Sequence, residues 1–195
     1  MTNTTTTASA AEILQLGDPR LRWPSKPVPD ARARGVRVVL ERLHETLAGF
    51  RAQHGFGRAL AAPQIGRRIR MVAFDLGRGP RALINPRIAS KSDATFTLWD
   101  DCLCFPELLV RVRRARSITL EFEDEGGRTQ CWSDLAPAES ELFQHELDHL
   151  DGVLAVDRAL DSESIVTRGE FARERERYTA LVTRQQPTQS PASPP

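Results

Sequence analysis

Two histidines, His145 and His149, stand four positions apart in the segment Gln-His-Glu-Leu-Asp-His at 144–149. On a helix, positions i and i+4 share one face, so both imidazoles can reach a single ion. Glu146 directly follows the first histidine. It is too near in sequence to be a third ligand in that geometry. It is well placed to take a proton from water that the ion activates. The pattern proposes a metal-dependent hydrolase with one ligand still to be found.

Several hydrolase classes share the two-histidine helix and differ in the third ligand. A metzincin-type site requires a histidine three residues beyond the glycine that follows the second histidine. Gly152 is present here, but the decisive position is Ala155. A downstream glutamate, Glu163 or Glu170, would complete a thermolysin-like set. Both lie in an Arg-rich stretch that reads as a solvated face. Upstream, Cys102 sits in Trp-Asp-Asp-Cys-Leu-Cys-Phe-Pro at 99–106. A thiolate with two imidazoles gives a site with an open fourth position. Taken alone, a cysteine there would more often be a small buried hydrophobe. Cys104 and Cys131 read as packed residues, Cys131 in the core.

The elements that must position these residues follow from periodicity. With 195 residues, 40% hydrophobic and 27% charged, the chain suits one domain with a real core. Apolar residues at helical spacing predict a helix over 34–54, stopped by Gly55 and Gly57. Strands are predicted at 70–76, 81–85 (ended by Pro86), 95–98, 108–112, 117–123 and 129–132. Glu-Gly-Gly at 125–127 reads as the turn before the last of these. The histidine-bearing helix is predicted over 136–150, with Pro137 in its first turn and Gly152 at its stop. A last charged helix is predicted at about 162–184. The sum is an α+β fold with antiparallel-leaning sheets around a central metal-binding helix.

Residues 1–11 read as a disordered leader and 185–195 as a disordered Pro/Ser/Gln-rich tail, leaving one catalytic domain at 12–184. The formal net charge of +1 gives no nucleic-acid or anionic-membrane signature. No apolar run is long enough to span a bilayer, and the first residues are not a secretory signal. Three cysteines without an export signal fit a cytoplasmic enzyme better than a disulfide framework.

Three separated segments resemble, in order, the motifs of the peptide deformylase family. Residues 57–64, Gly-Arg-Ala-Leu-Ala-Ala-Pro-Gln, resemble its glycine-rich loop. Residues 100–104, Asp-Asp-Cys-Leu-Cys, resemble its Glu-Gly-Cys-Leu-Ser. Residues 144–152 resemble its Gln-His-Glu-x-Asp-His-Leu-x-Gly almost residue for residue. The stretch 13–22 also looks like the family's N-terminal strand.

The resemblance implies Cys102, His145 and His149 as ligands of one divalent metal, usually Fe²⁺, with Zn²⁺, Ni²⁺ or Co²⁺ able to substitute. It implies Glu146 as general base and acid. Gln64 and the backbone N–H of Leu103 become donors to the developing oxyanion. The implied activity removes the N-formyl group from N-formylmethionyl peptides. The implied partners are nascent N-formylated peptides, with weak ribosome contact conceivable.

The second motif departs most. Asp100 replaces glutamate and is expected to pair with Arg113 or Arg114. Asp101 replaces glycine, and Cys104 replaces serine. Ala59 replaces a glycine of the first motif. These changes keep two alternatives in view: a related metalloamidase acting on another N-formyl substrate, and a non-catalytic binder of formyl peptides.

Overall fold

The computed structural model describes residues 10–182. The proposed tail lies outside them, as does the leader except Ala10 and Ala11. The Ala11 N–H donates to Thr46 Oγ1 at 2.8 Å, which ties that residue to the first helix.

That helix, α1, runs Arg34–His54 and buries Leu40, Leu43 and Leu47. It ends where Gly55 takes φ 76°, a left-handed conformation that glycine adopts without strain. The chain then forms β1 (Ala59–Ala61), β2 (Met71–Phe74), β3 (Arg81–Lys91), β4 (Thr95–Asp101), β5 (Leu108–Ala115), β6 (Ile118–Glu123) and β7 (Thr129–Trp132). Helix α2 follows at Pro137–Leu150, then β8 (Ile165–Thr167), α3 (Arg168–Arg173) and α4 (Arg175–Ala180). The strands form a five-stranded sheet, β1-β2-β3-β6-β7, and a three-stranded sheet, β4-β5-β8. Neighbours pair antiparallel throughout both sheets.

Helix α2 packs against β1 of the larger sheet and β5 of the smaller. Phe143, Leu147 and Leu150 bury one side of it with Phe74, Leu83 and Trp132. Each such side chain contributes about 1.5–3 kcal/mol on leaving water. The Gln144 side chain fastens the helix to β5 through the backbone N–H and C=O of Ala115, both at 3.0 Å. Among the described residues no helix is long and apolar enough to cross a membrane.

Four expectations fail for tertiary reasons. The strand predicted to end at Pro86 continues to Lys91. Asn85 takes φ 51° there, and the register with β6 shifts between Ile84 and Arg87. The missing Pro86 N–H therefore falls at a bulge. The long C-terminal helix is instead a strand and two short helices, broken at Glu174 with φ −114° and ψ 37°. Trp99, Phe171 and Tyr178 form an aromatic cluster that holds those helices against β4. Cys131 is exposed, because alternation along β7 turns Trp132 inward instead.

The fourth concerns residues 13–22, which form no strand. Their segment runs as a strap across the site, ending in a 3₁₀ turn at Pro19–Arg22. Leu14 N–H donates to Gln64 O at 2.8 Å and Leu16 N–H to Cys104 O at 2.9 Å. Farther on, Ser25 N–H donates to Leu150 O at 2.7 Å. The strap thus touches all three motif segments. Gly152, with φ 76°, lies under it: a Cβ there would sit 2.4 Å from Arg22 O.

Candidate metal centre

The four-residue spacing brings both imidazoles to one buried face of α2, with His145 Nε2 3.2 Å from His149 Nε2. Cys102 lies just past the end of β4, and its Sγ is 3.2 Å from His149 Nε2. Ligand bonds of about 2.0–2.3 Å at tetrahedral angles would separate donor atoms by about 3.3–3.6 Å. The two spacings about His149, the burial and the thiol-plus-imidazole chemistry fit a divalent ion at this place.

Cys104 joins this donor group. The Sγ atoms of Cys102 and Cys104 and a ring nitrogen of His149 all lie within 4.8 Å of one another. His145 adjoins the group through His149. The Cys-x-Cys spacing was the available signal for Cys104, which the sequence reading placed only as a packed neighbour. Burial pushes the Cys102 thiol well up, and the adjoining Cys104 adds to that. A bound cation would act in the opposite direction.

Gln64 is held by its own loop. Its Oε1 accepts from Ala61 N–H at 2.8 Å, which orients the amide NH₂ toward Cys104 Sγ at 3.4 Å and Cys102 Sγ at 3.9 Å. The side chain both bonds the local backbone and presents a donor to the site. Leu103, between the two cysteines, lines the cavity that reaches Glu146.

A buried charge network fixes the histidine side. Asp100 Oδ2 lies 3.0 Å from His145 Nδ1, which leaves Nε2 as the ring atom facing His149. Arg114 donates to the same oxygen at 2.9 Å and also to Asp148. Arg158 completes the network on Asp148 Oδ1 at 2.7 Å. Burial would raise the Asp100 carboxyl, but His145 and Arg114 outweigh it and hold it low. Burial would lower His145, but Asp100 outweighs it and holds it up at about 9, and a bound cation would displace the proton from Nε2 while Nδ1–H stays on Asp100. His149 has no such carboxylate contact, and burial with the neighbouring His145 drives it well down.

Glu146 lies in the same pocket, 3% exposed, with Oε2 unpartnered. Burial raises its carboxyl to about 7. A buried carboxylate near neutrality can exchange a proton with water. Among the described non-glycine residues Asn85 and Asp134 take a positive φ; Asp101, which replaces a glycine of the family motif, does not. It turns to Arg168 at 3.2 Å, along the cavity rim. Two further residues there were not found from sequence. Arg58 of the glycine-rich loop and Glu141 of α2 form an ion pair across 83 residues of chain. Nothing in local periodicity signals it. Glu163 and Glu170 stay away: the Glu163 N–H caps onto Asp161, and Glu170 pairs with Arg173.

A family model described as polypeptide deformylase matches residues 10–164. The peptide deformylase of Thermotoga maritima is 36% identical over 156 residues, covering 80% of this chain and 91% of its own length. That of Treponema pallidum subsp. pallidum is 37% identical over 149 residues, covering 75% and 86%. The crystal structure of the Thermotoga maritima enzyme superposes with a TM-score of 0.71 at 35% identity, covering 78% of this chain and 99% of its own. A Synechococcus elongatus peptide deformylase in complex with actinonin gives a TM-score of 0.72 at 30% identity, covering 79% and 81%. The family-model match takes in all three motif segments and every strand but β8, and the chain belongs to the peptide deformylase family.

Proposed function

We propose that Cys102, His145 and His149 hold one divalent metal, Fe²⁺ in the resident enzyme, and that Glu146, Gln64 and the Leu103 N–H carry out deformylation around it. The chain is a metal-dependent amide hydrolase of a family that removes the N-formyl group from N-formylmethionyl peptides. The placement of His149 Nε2 3.2 Å from both Cys102 Sγ and His145 Nε2 carries the residue assignment.

Bound by these residues, a divalent ion would supply Lewis-acid polarisation of the formyl carbonyl and would lower the pKa of water. Glu146 takes a proton from the attacking water and returns it to the leaving amine. Its unpartnered Oε2 leaves that oxygen free for the task. In this reading the Gln64 amide, oriented by Ala61, and the Leu103 N–H donate to the developing oxyanion. Preorganised donors of this kind are typically worth about 2.7–4 kcal/mol each. Asp100 keeps His145 in the tautomer whose Nε2 is available for the ion.

β1 and β4 are edge strands of their sheets, and Ala59 and Asp101 on them line the cavity. An extended nascent peptide can therefore add beside one of them through main-chain hydrogen bonds. Weak ribosome contact through the charged α3–α4 segment is part of this reading, and ribosome co-sedimentation tests it.

Anaerobically purified protein, assayed for metal content and for formate release from a formyl-Met tripeptide, tests the assignment. One metal per chain and formate release are expected. Loss of the metal in both Cys102→Ala and His149→Ala is also expected. A fully loaded His149→Ala protein would overturn the ligand set.

A further inference from the structure

The cavity that opens from Glu146 and His145 has a volume of about 320 Å³. The first side chain of a formyl peptide is attached two bonds from the formyl carbon, so this cavity is the space next to it. Phe56, Leu103 and Leu142 supply apolar wall, as a methionine thioether requires. Arg58 and Glu141 interrupt that wall with an ion pair. Glu141 precedes His145 by four residues on α2, so it faces the same side of the helix. Its side chain is 6% exposed against 43% for Arg58.

Arg58 is held in place rather than loose. It donates to Glu141 and to Ala138 O at 3.1 Å, while its backbone O accepts from Asp75 N–H at 2.9 Å. Those two side-chain bonds leave further N–H groups of its five free for an acceptor. An apolar side chain pressed on this pair strips water from charge without replacing the lost hydrogen bonds. A side chain of the same length that ends in an acceptor oxygen replaces them.

We infer that the Arg58–Glu141 pair sets selectivity for the first residue, extending the range to N-formyl peptides whose first side chain has methionine's length and ends in a hydrogen-bond acceptor. Methionine sulfoxide is the member of that class that arises by oxidation of the family's own substrate, and glutamine is a stable mimic. The inference rests on the deformylase reading. Arg58 and Glu141 act here as specificity residues; the reacting groups remain Glu146, Gln64 and Leu103.

The test measures kcat/KM by formate release for formyl-Xaa-Ala-Ala peptides, with Xaa methionine, norleucine, methionine sulfoxide or glutamine. The natural enzyme should turn over the sulfoxide and glutamine peptides at least as well as the norleucine peptide. The double variant Arg58→Leu/Glu141→Leu removes both charges together and leaves neither unpaired. It should reverse the order, favouring norleucine by about tenfold or more, mainly through KM. A natural enzyme that already favours norleucine tenfold overturns the inference alone and leaves the deformylase reading intact. So does an order unmoved in a folded double variant. Formate release from none of the four overturns both readings. Should the double variant fail to fold by circular dichroism, the order in the natural enzyme decides the matter.

Discussion

The inner and outer walls of the site are built on different principles. On the inner wall, Cys102, His145 and His149 are buried together, and Asp100, Arg114 and Asp148 brace His145 through charged hydrogen bonds. On the outer wall, Arg58, Glu141, Asp101 and Arg168 form two ion pairs at the cavity rim, with both arginines more than a third exposed. Exposed pairs contribute little to stability, whereas breaking a buried one leaves a charge without solvent or partner. The contrast teaches where change is tolerated. The inner wall accepts Asp100 for glutamate because the shorter acid still reaches both His145 and Arg114. The outer pairs can vary in charge without disturbing the donors, provided that the buried Glu141 is not left without Arg58.

That contrast can be broken most severely at Glu146. Glu146→Gln should lower formate release by about 10²–10⁴-fold while metal content by mass spectrometry stays unchanged. An active variant would move the proton transfer elsewhere. Gly152→Ala should destabilise the fold by about 2–4 kcal/mol in urea unfolding, since the new Cβ would need a left-handed conformation and would strike Arg22 O. Unchanged stability would mean the strap yields easily. Asp100→Asn should weaken metal affinity by about 10–100-fold in chelator competition, by loosening His145. An unchanged affinity would make the brace dispensable. Cys104→Ser should change affinity least, by less than about tenfold, if Cys104 only adjoins the ion. A larger loss would make it a ligand and the donor set larger than three.

The inner wall was the more legible half in sequence, for a physical reason. Two histidines on one helix turn are related by local geometry, so spacing alone places them together. Cys102 lies 47 residues from His149, so local spacing does not place it; it enters as the ligand candidate left after the downstream ones, and the ordered motifs then imply its role. The partner of Asp100 was narrowed to two arginines, and alternation along β5 chose between them: Arg114 is buried and Arg113 exposed. Arg58 and Glu141 gave no signal, because their meeting depends on how β1 sits against α2. The same limit explains β3, where a bulge at Asn85 carries the strand past Pro86. It also explains the C-terminal segment, whose mixed charges looked helical but whose first residues pair with β5 instead.

The strap over the site also bears on how this enzyme comes into being. Arg22 pairs with Asp157, 135 residues away, and Ser25 bonds the last turn of α2. Contacts of such separation close late and slow folding. During synthesis the strap leaves the ribosome first, yet its seat is finished only once residues 150–157 have followed. An enzyme that trims newborn chains at their first residue thus cannot complete its own centre until most of its length has been made. The strap residues must wait for the helix they will cover.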